Sequence, residues 1–420
     1  MANIKSITAR EILNSKGNPT IEATVVLDDG SRGIAACPSG TSAGSHEAIE
    51  LRDNDMSHFA GLGVIKAMTN IEKIIAPELI NKEPYNQDSI DKVIIALDGT
   101  ENKSHLGANA TLSVSMAIAK AAAISAQKPL YMHLHEQYPG TNSKLKMPTP
   151  IFNVLNGGLH GSGSLDFQEF ILVPKQTQTY TESLAMGFSI YHSLKQLLKQ
   201  NKYSTLVGDE GGFEPHLTSN YNALDFLVQA IDASGYNFGK DVFVGLDAAA
   251  NSFFKDQAYH IRDKQKPLSA EELIAYYKDL SGEFHMKYLE DLLCEDDWED
   301  WSLATAQLGN TSMIVGDDLT VTNPKRLQVA IDKKAMNAIL IKPNQIGTVS
   351  EAIQVTNMAQ QAGFKTIVSH RSGETNDDFI ADFGVAVTAD YVKFGAPARG
   401  ERVAKYNRLL QIESELKITT

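Results

Sequence analysis

The sequence predicts an α/β fold: a βα barrel in the second part of the chain, preceded by a smaller α+β unit. Four charged residues supply the first observation. Asp247 ends the apolar run Val242 to Leu246, Glu290 ends Met286 to Leu289, Asp317 follows Met313 to Gly316, and Lys342 ends Ala338 to Ile341. Short β-type apolar runs set between helical stretches read as parallel strands. The second observation is spacing: Glu290, Asp317, Lys342, His370 and Lys393 recur at roughly 25-residue intervals, short for a βα unit but compatible with compact ones. The third is a change of period near residue 60, from two to the three and four of helices.

In the first third, Ile4, Ile7 and Ile12 precede the runs Thr20 to Leu27 and Gly33 to Ala36. Asp28-Asp29-Gly30 between two such runs is a hairpin turn. These segments predict a three-stranded meander, and residues from about 60 to 136 predict helices packed on it. Ala108 to Ala126 is the most apolar stretch, but Asn109, Ser113, Ser115 and Lys120 interrupt it, so it reads as a buried helix rather than a membrane span. Tyr138 to Ser143 is polar and turn-rich, which marks a linker.

Composition narrows the class. The 420 residues are long enough for two domains, and the formal net charge is −13. Such an acidic chain argues against nucleic acid and against an anionic membrane surface as partners. An anionic substrate must then be met by local cations or by metal. Cys37 and Cys294 fit no metal-ligand spacing and read as two reduced thiols. The N-terminus has no signal-peptide core, so a cytoplasmic location is expected.

In a parallel barrel the strand C-termini open onto one face, so Asp247, Glu290, Asp317 and Lys342 would converge there. Three carboxylates from three strand ends suit a hard cation such as Mg²⁺. A lysine beside them, partly desolvated and near like charge, favours the neutral amine of a general base, although an ion pair with Asp317 fits the same placement. Glu210 stands among glycines in Gly208 to Phe213, and Gln168-Glu169 precedes Phe170 to Val173. Carboxyls opposite a base are what a dehydration needs, because the departing hydroxyl must receive a proton. Ser369-His370-Arg371-Ser372 follows another apolar run; Arg371 and Ser372 suit a phosphate, and Lys393 adds a cation. His160 lies on the loop Asn156 to His160, and Ser42 lies on the small-residue loop Ser39 to Ser45, of a kind that closes over ligands.

Taken together and in order, these segments resemble the enolases from about Ile7 to Glu415. Val207 to Phe213, Leu340 to Gly347 and Ser369 to Thr375 are the most specific, supported by Leu97 to Ser104, Glu50 to Asp53 and Arg402 to Asn407. The resemblance implies a modified, TIM-like βα barrel at residues 148–420, a capping α+β domain at 1–136 and a linker at 137–147. It implies the glycolytic and gluconeogenic dehydration of 2-phosphoglycerate to phosphoenolpyruvate. Lys342 would take the C2 proton, and Glu210, assisted by Glu169, would protonate the departing hydroxyl. Asp247, Glu290 and Asp317 would hold the first of two Mg²⁺, and the second would bridge the phosphate and the Ser42 loop. Gln168, His160, Ser369, His370, Arg371, Ser372 and Lys393 would contact substrate. A homodimer, or a higher oligomer, is implied, and the family's example admits a secondary cell-surface or secreted pool.

The departures from the family pattern lie outside these positions. Asn14 and Lys16 stand where the family has Asp and Arg, suggesting a lost or rebuilt ion pair. Ser252 stands where a Glu is usual, so a supporting carboxylate is missing. Gln411 replaces an arginine that commonly pairs with the position of Glu22 across the dimer, which predicts a weaker or differently arranged dimer. These changes keep two other readings open: an enolase paralogue acting on a related phosphorylated or phosphonate hydroxy acid, and a non-catalytic binding protein.

Overall fold

The computed structural model describes residues 2–40, 44–138, 144–158 and 165–419. Strands β1 (Ile4–Leu13), β2 (Pro19–Leu27) and β3 (Arg32–Ala36) form an antiparallel meander in which Ala23 faces both Ala9 and Ala35. Gly30 turns the β2–β3 hairpin at φ +89°, a conformation that favours glycine. Ile21, Ala23, Val25 and Leu27 alternate along one buried face of β2. The helix Ala108–Ser125 lies against this sheet and is buried almost all round, which is why it is rich in alanine. At Gly33 a Cβ would sit 2.0 Å from the Ala117 carbonyl oxygen, so only glycine lets strand and helix approach this closely.

The second unit is a closed eight-stranded barrel in the order β4 (Thr149–Asn156), β5 (Glu169–Pro174), β6 (Val242–Asp247), β9 (Tyr288–Glu290), β10 (Met313–Gly316), β11 (Ala338–Ile341), β12 (Lys365–Ser369) and β13 (Tyr391–Lys393). A two-stranded ribbon, β7 (Phe254–Lys255) with β8 (Ala258–Tyr259), interrupts the series. One strand departs from the all-parallel expectation: β5 runs antiparallel to both β4 and β6. Two helices in succession, Tyr180–Gln200 and Asn220–Ala233, then bring the chain back to β6. Thr205 to Val207, ahead of the Glu210 loop, lies outside the barrel strands; Val207 makes a bridge to Phe213 and Leu206 is 77% exposed.

Ile151, Ile171, Val173, Tyr288, Val315, Leu340 and Ile367 fill the barrel interior, and the helices cover its outside. Helix starts carry the caps that the sequence supplies. Thr179 with Glu182 and Ser269 with Glu272 form capping boxes, while Asn323 and Thr348 cap singly. The small unit is tied to the barrel by polar contacts. Lys103 pairs with Glu351 at 2.9 Å and Lys120 with Asp377 at 2.8 Å, and Thr111 Oγ1 donates to the Gly347 carbonyl at 2.7 Å. Cys37 and Cys294 form no disulfide. Among the described residues no helix is long and apolar enough to cross a membrane.

Candidate active site

The reversal of β5 decides how the site is assembled. On parallel strands the C-terminal residues reach the open face, which brings Asp247, Glu290, Asp317, Lys342, Ser369 and Lys393 to one end. On the antiparallel strand it is the first residue that reaches that end. Glu169 therefore pairs in register with Asn156 at the end of β4 and with Asp247 at the end of β6.

These ends surround a cavity of about 400 Å³. Gln168, Glu169, Glu210, Asp247, Asp317 and Lys342 line it, as do Ser369, His370, Arg371, Ser372 and Lys393. Glu290 lies just beneath, fully buried, and accepts hydrogen bonds from Tyr288 and Lys393. Of the residues the sequence singles out, His160 and Ser42 fall outside the described residues.

Two lysines meet the carboxylates. The Lys393 ammonium lies 2.6 Å from Glu290 Oε2, 2.7 Å from Glu169 Oε2 and 3.9 Å from Asp247 Oδ2. Burial opposes its charge, but Glu169 and Glu290 outweigh burial and raise its pKa well above the ordinary value. One ammonium cannot balance three carboxylates. Burial, and then Glu290, push the Asp247 carboxyl well above the usual range, and burial does the same to Glu169. Lys342 forms an ion pair with Asp317, whose other oxygen accepts from Gln345 at 2.9 Å. Burial lowers the Lys342 pKa, yet the Asp317 carboxylate wins and the net shift is upward. Beside Asp317 the lysine is thus held protonated, as the ion-pair reading expects.

The donor set suits a hard cation. Carboxylate oxygens of Glu169, Asp247 and Glu290 lie within 4.8 Å of one another, as do those of Glu290, Asp291 and Asp317. Glu290 Oε1 and Gln168 Oε1 are buried with no hydrogen-bond partner among the described residues. Unpartnered oxygens in an all-oxygen, negatively charged cluster fit Mg²⁺ and no soft metal.

Opposite chemistry gathers around Glu210. Asn153 Nδ2 donates to its Oε2 at 2.9 Å, and His370 Nε2 stands 3.8 Å from its Oε1. Burial holds the His370 pKa well below that of a free imidazole, so it is neutral. Arg371, at the cavity edge, donates to Glu47 and Asn344.

Sequence reasoning missed Asp291 and Asp318, each directly after a residue it found; the doublets Glu290-Asp291 and Asp317-Asp318 were the available signal. Both line the cavity, and burial with Asp317 pushes Asp318 up to about 7. It also missed Glu47, Asn153 and the buried role of Arg402, which act through contacts that no local pattern announces.

Comparison with known proteins agrees with this architecture. A family model described as the enolase N-terminal domain matches residues 4–134, and one described as the enolase C-terminal TIM barrel domain matches 144–420. The chain belongs to the enolase family. The enolase of Bdellovibrio bacteriovorus is 49% identical over 416 residues, covering 99% of this chain and 97% of that protein. The enolase of Nitratiruptor sp. is likewise 49% identical over 416 residues, with 99% and 97% covered. Enolases are carbon–oxygen hydro-lyases, and this chain is an enzyme of that class, a phosphopyruvate hydratase.

Lys16 forms an ion pair with Asp209, the neighbour of Glu210. Asn14 donates to Ser39 Oγ at 2.6 Å. Ser252 lines the cavity beside Asn251.

Proposed function

We propose that this enolase catalyses the reversible dehydration of 2-phospho-D-glycerate to phosphoenolpyruvate and water, as a step of glycolysis and gluconeogenesis. The observation that carries the reading is that Lys342 and Glu210 line one cavity together with the carboxylate cluster. A base and an acid are thereby offered to adjacent carbons of one small substrate. Residues 1–136 act as a cap on the barrel of residues 148–420, with 137–147 as the linker.

The chemistry follows from the groups present. Lys342 Nζ takes the proton from C2, and the electron pair left behind spreads onto the substrate carboxylate; in a second step that pair forms the C2–C3 double bond as the C3–O bond breaks. Glu210, with Glu169 beside it, passes a proton to the departing hydroxyl, which leaves as water. Arg371 and Ser372 hold the phosphate, and Gln168, His160, Ser369, His370 and Lys393 orient the rest of the substrate. Asp247, Glu290 and Asp317 would hold one Mg²⁺ and the Ser42 loop a second; when bound, these ions supply the positive charge that a dianion on the substrate carboxylate requires. A Lys base working with Mg²⁺ is the established pattern of the enolase superfamily. In this chain the lysine is kept in place by Asp317 and poised to lose its proton once that carboxylate is engaged elsewhere.

The test separates the two proton transfers. In heavy water, Lys342→Ala should abolish C2 proton exchange and dehydration alike. Glu210→Gln should keep C2 exchange while dehydration falls by about 10²- to 10⁴-fold. Exchange that persists in Lys342→Ala would remove the lysine from the role of base.

A cytoplasmic homodimer completes the reading. Met56, Phe59, Leu62 and Ile65 are exposed on one short segment of the cap, a face suited to self-association. Glu22 pairs within its own chain with Arg10 at 2.6 Å, and Arg408 is held by Asp382, leaving neither committed to a partner arginine or glutamate. The dimer is then weaker, or differently arranged, than one centred on such a pair. Sedimentation showing a tight dimer with Glu22 against Gln411 at its centre would contradict this.

A further inference from the structure

Arg402 is the largest cation buried in the fold that the chemistry above does not use. It sits in the first turn of the helix Gly400–Thr419 and has no exposed surface. Its Nη1 lies 2.6 Å from His370 Nδ1 and 2.6 Å from the Arg371 carbonyl oxygen. Its Nη2 donates to the carbonyls of Ser372 at 2.7 Å and Asp209 at 3.0 Å. One side chain thus ties the loop carrying His370, Arg371 and Ser372 to the loop carrying Glu210.

The contact with His370 fixes a proton. A guanidinium has donors and no acceptor. His370 Nδ1 must therefore present its lone pair, and the single imidazole proton resides on Nε2. That Nε2 is the atom 3.8 Å from Glu210 Oε1. A second proton on Nδ1 would set N–H against N–H and cation against cation. The groups facing the ring reinforce this on one side and oppose it on the other: Arg402, Lys393 and Lys342 disfavour a charged imidazole, while Glu210 and Glu169 favour it. Burial then sides with the neutral ring.

We infer that Arg402 is a positioning residue that fixes the neutral Nε2–H tautomer of His370 and so leaves Glu210, rather than the imidazole, to deliver the proton to the departing hydroxyl. This rests on the reading of Glu210 given above. Two side chains able to carry a proton stand at the same end of the cavity; the arginine removes one of them from the exchange. His370 instead turns its Nε2–H toward Glu210 Oε1 across 3.8 Å, while Asn153 donates to the other carboxyl oxygen.

The test is ¹⁵N-histidine NMR on the full chain, with a His370→Gln variant to assign the signal, and pH–rate profiles of Arg402→Met and Arg402→Lys. In the wild type His370 should stay neutral, with its proton on Nε2, from about pH 6 to about pH 9. Arg402→Met should bring a His370 titration or tautomer change into that range, add an ionisation to the kcat profile and lower kcat by about 10- to 100-fold. Arg402→Lys, which keeps a charged donor, should restore part of both. A wild-type His370 protonated on Nδ1, or an imidazolium near neutral pH, would overturn the proposal even if Arg402→Met fails to fold. So would an Arg402→Met enzyme slowed uniformly across pH with the His370 signals unmoved. The tautomer is read independently of turnover, so a failed 2-phosphoglycerate assay and a wrong tautomer are separate results.

Discussion

Arg371 meets Glu47 in a two-point ion pair, Nη1 to Oε2 at 2.8 Å and Nη2 to Oε1 at 3.1 Å. Both residues are buried. Glu47 also accepts from the Gly44 amide at 3.1 Å and from Gln345 at 3.3 Å. Gln345 in turn donates to Asp317, the partner of Lys342. A chain of charged and amide groups therefore connects the segment beside Ser42 to the proposed base, and the guanidinium assigned to phosphate is held by a carboxylate.

Removing that carboxylate takes the two-point ion pair from a buried guanidinium. Glu47→Ala should lower ligand-free stability by about 3 kcal/mol or more. A phosphate-bearing ligand supplies the missing negative charge, so phosphoenolpyruvate should raise the variant's Tm more than the wild type's. Thermal melts with and without ligand check this. Equal ligand shifts in both proteins would show that Arg371 does not receive the phosphate.

A second expectation concerns pH without metal. Burial pushes Asp318 up to about 7 and Asp91 up to about 6. A carboxyl whose folded pKa lies above its unfolded value stabilises the fold below the unfolded pKa, and this stability is lost as pH rises through the folded one. Chelated protein should therefore melt higher at pH 7 than at pH 8. That window stays above the ~6.5 at which unfolded histidines begin to bind protons, a change that would favour unfolding and oppose the effect at buried His370. Mg²⁺ should narrow the difference by offsetting the carboxylate excess. A chelated protein that melts higher at pH 8 would contradict the assignment of surplus negative charge to this cluster.

A third concerns the pair of Lys16 with Asp209. Both side chains are partly exposed, at 20% and 34%. Such a pair is worth about 1 kcal/mol at most. Lys16→Ala should leave Tm almost unchanged and act instead on kcat, by a few-fold, because Asp209 precedes Glu210 on a loop that the cap steadies. Lys16→Arg should match the wild type. A large loss of stability in Lys16→Ala would make the pair structural rather than a loop support.

Much of this site is legible in the sequence for a physical reason. Asp247, Glu290, Asp317 and Lys342 each end an apolar run, and strand ends on a barrel share a face whatever the intervening helices do. The antiparallel course of β5 is not legible, because an apolar run looks the same in either direction; Glu169 was found only as a carboxylate beside such a run. Glu47, Asn153 and Arg402 escape because their partners lie far away in sequence, and a guanidinium beside a histidine 32 residues earlier leaves no local mark. The meander was readable from its period and from Gly30, whereas Gly33, needed for contact with Ala117, looks like any other strand glycine.

The most direct test of the central claim is formation of phosphoenolpyruvate from 2-phosphoglycerate, followed by ultraviolet absorbance with Mg²⁺ and with chelator, beside Lys342→Ala. The account predicts rapid turnover that requires Mg²⁺ and falls by about 10²- to 10⁴-fold or more in the variant. A folded, Mg²⁺-binding wild type that leaves 2-phosphoglycerate unchanged would contradict it and direct the search to a different phosphorylated hydroxy acid.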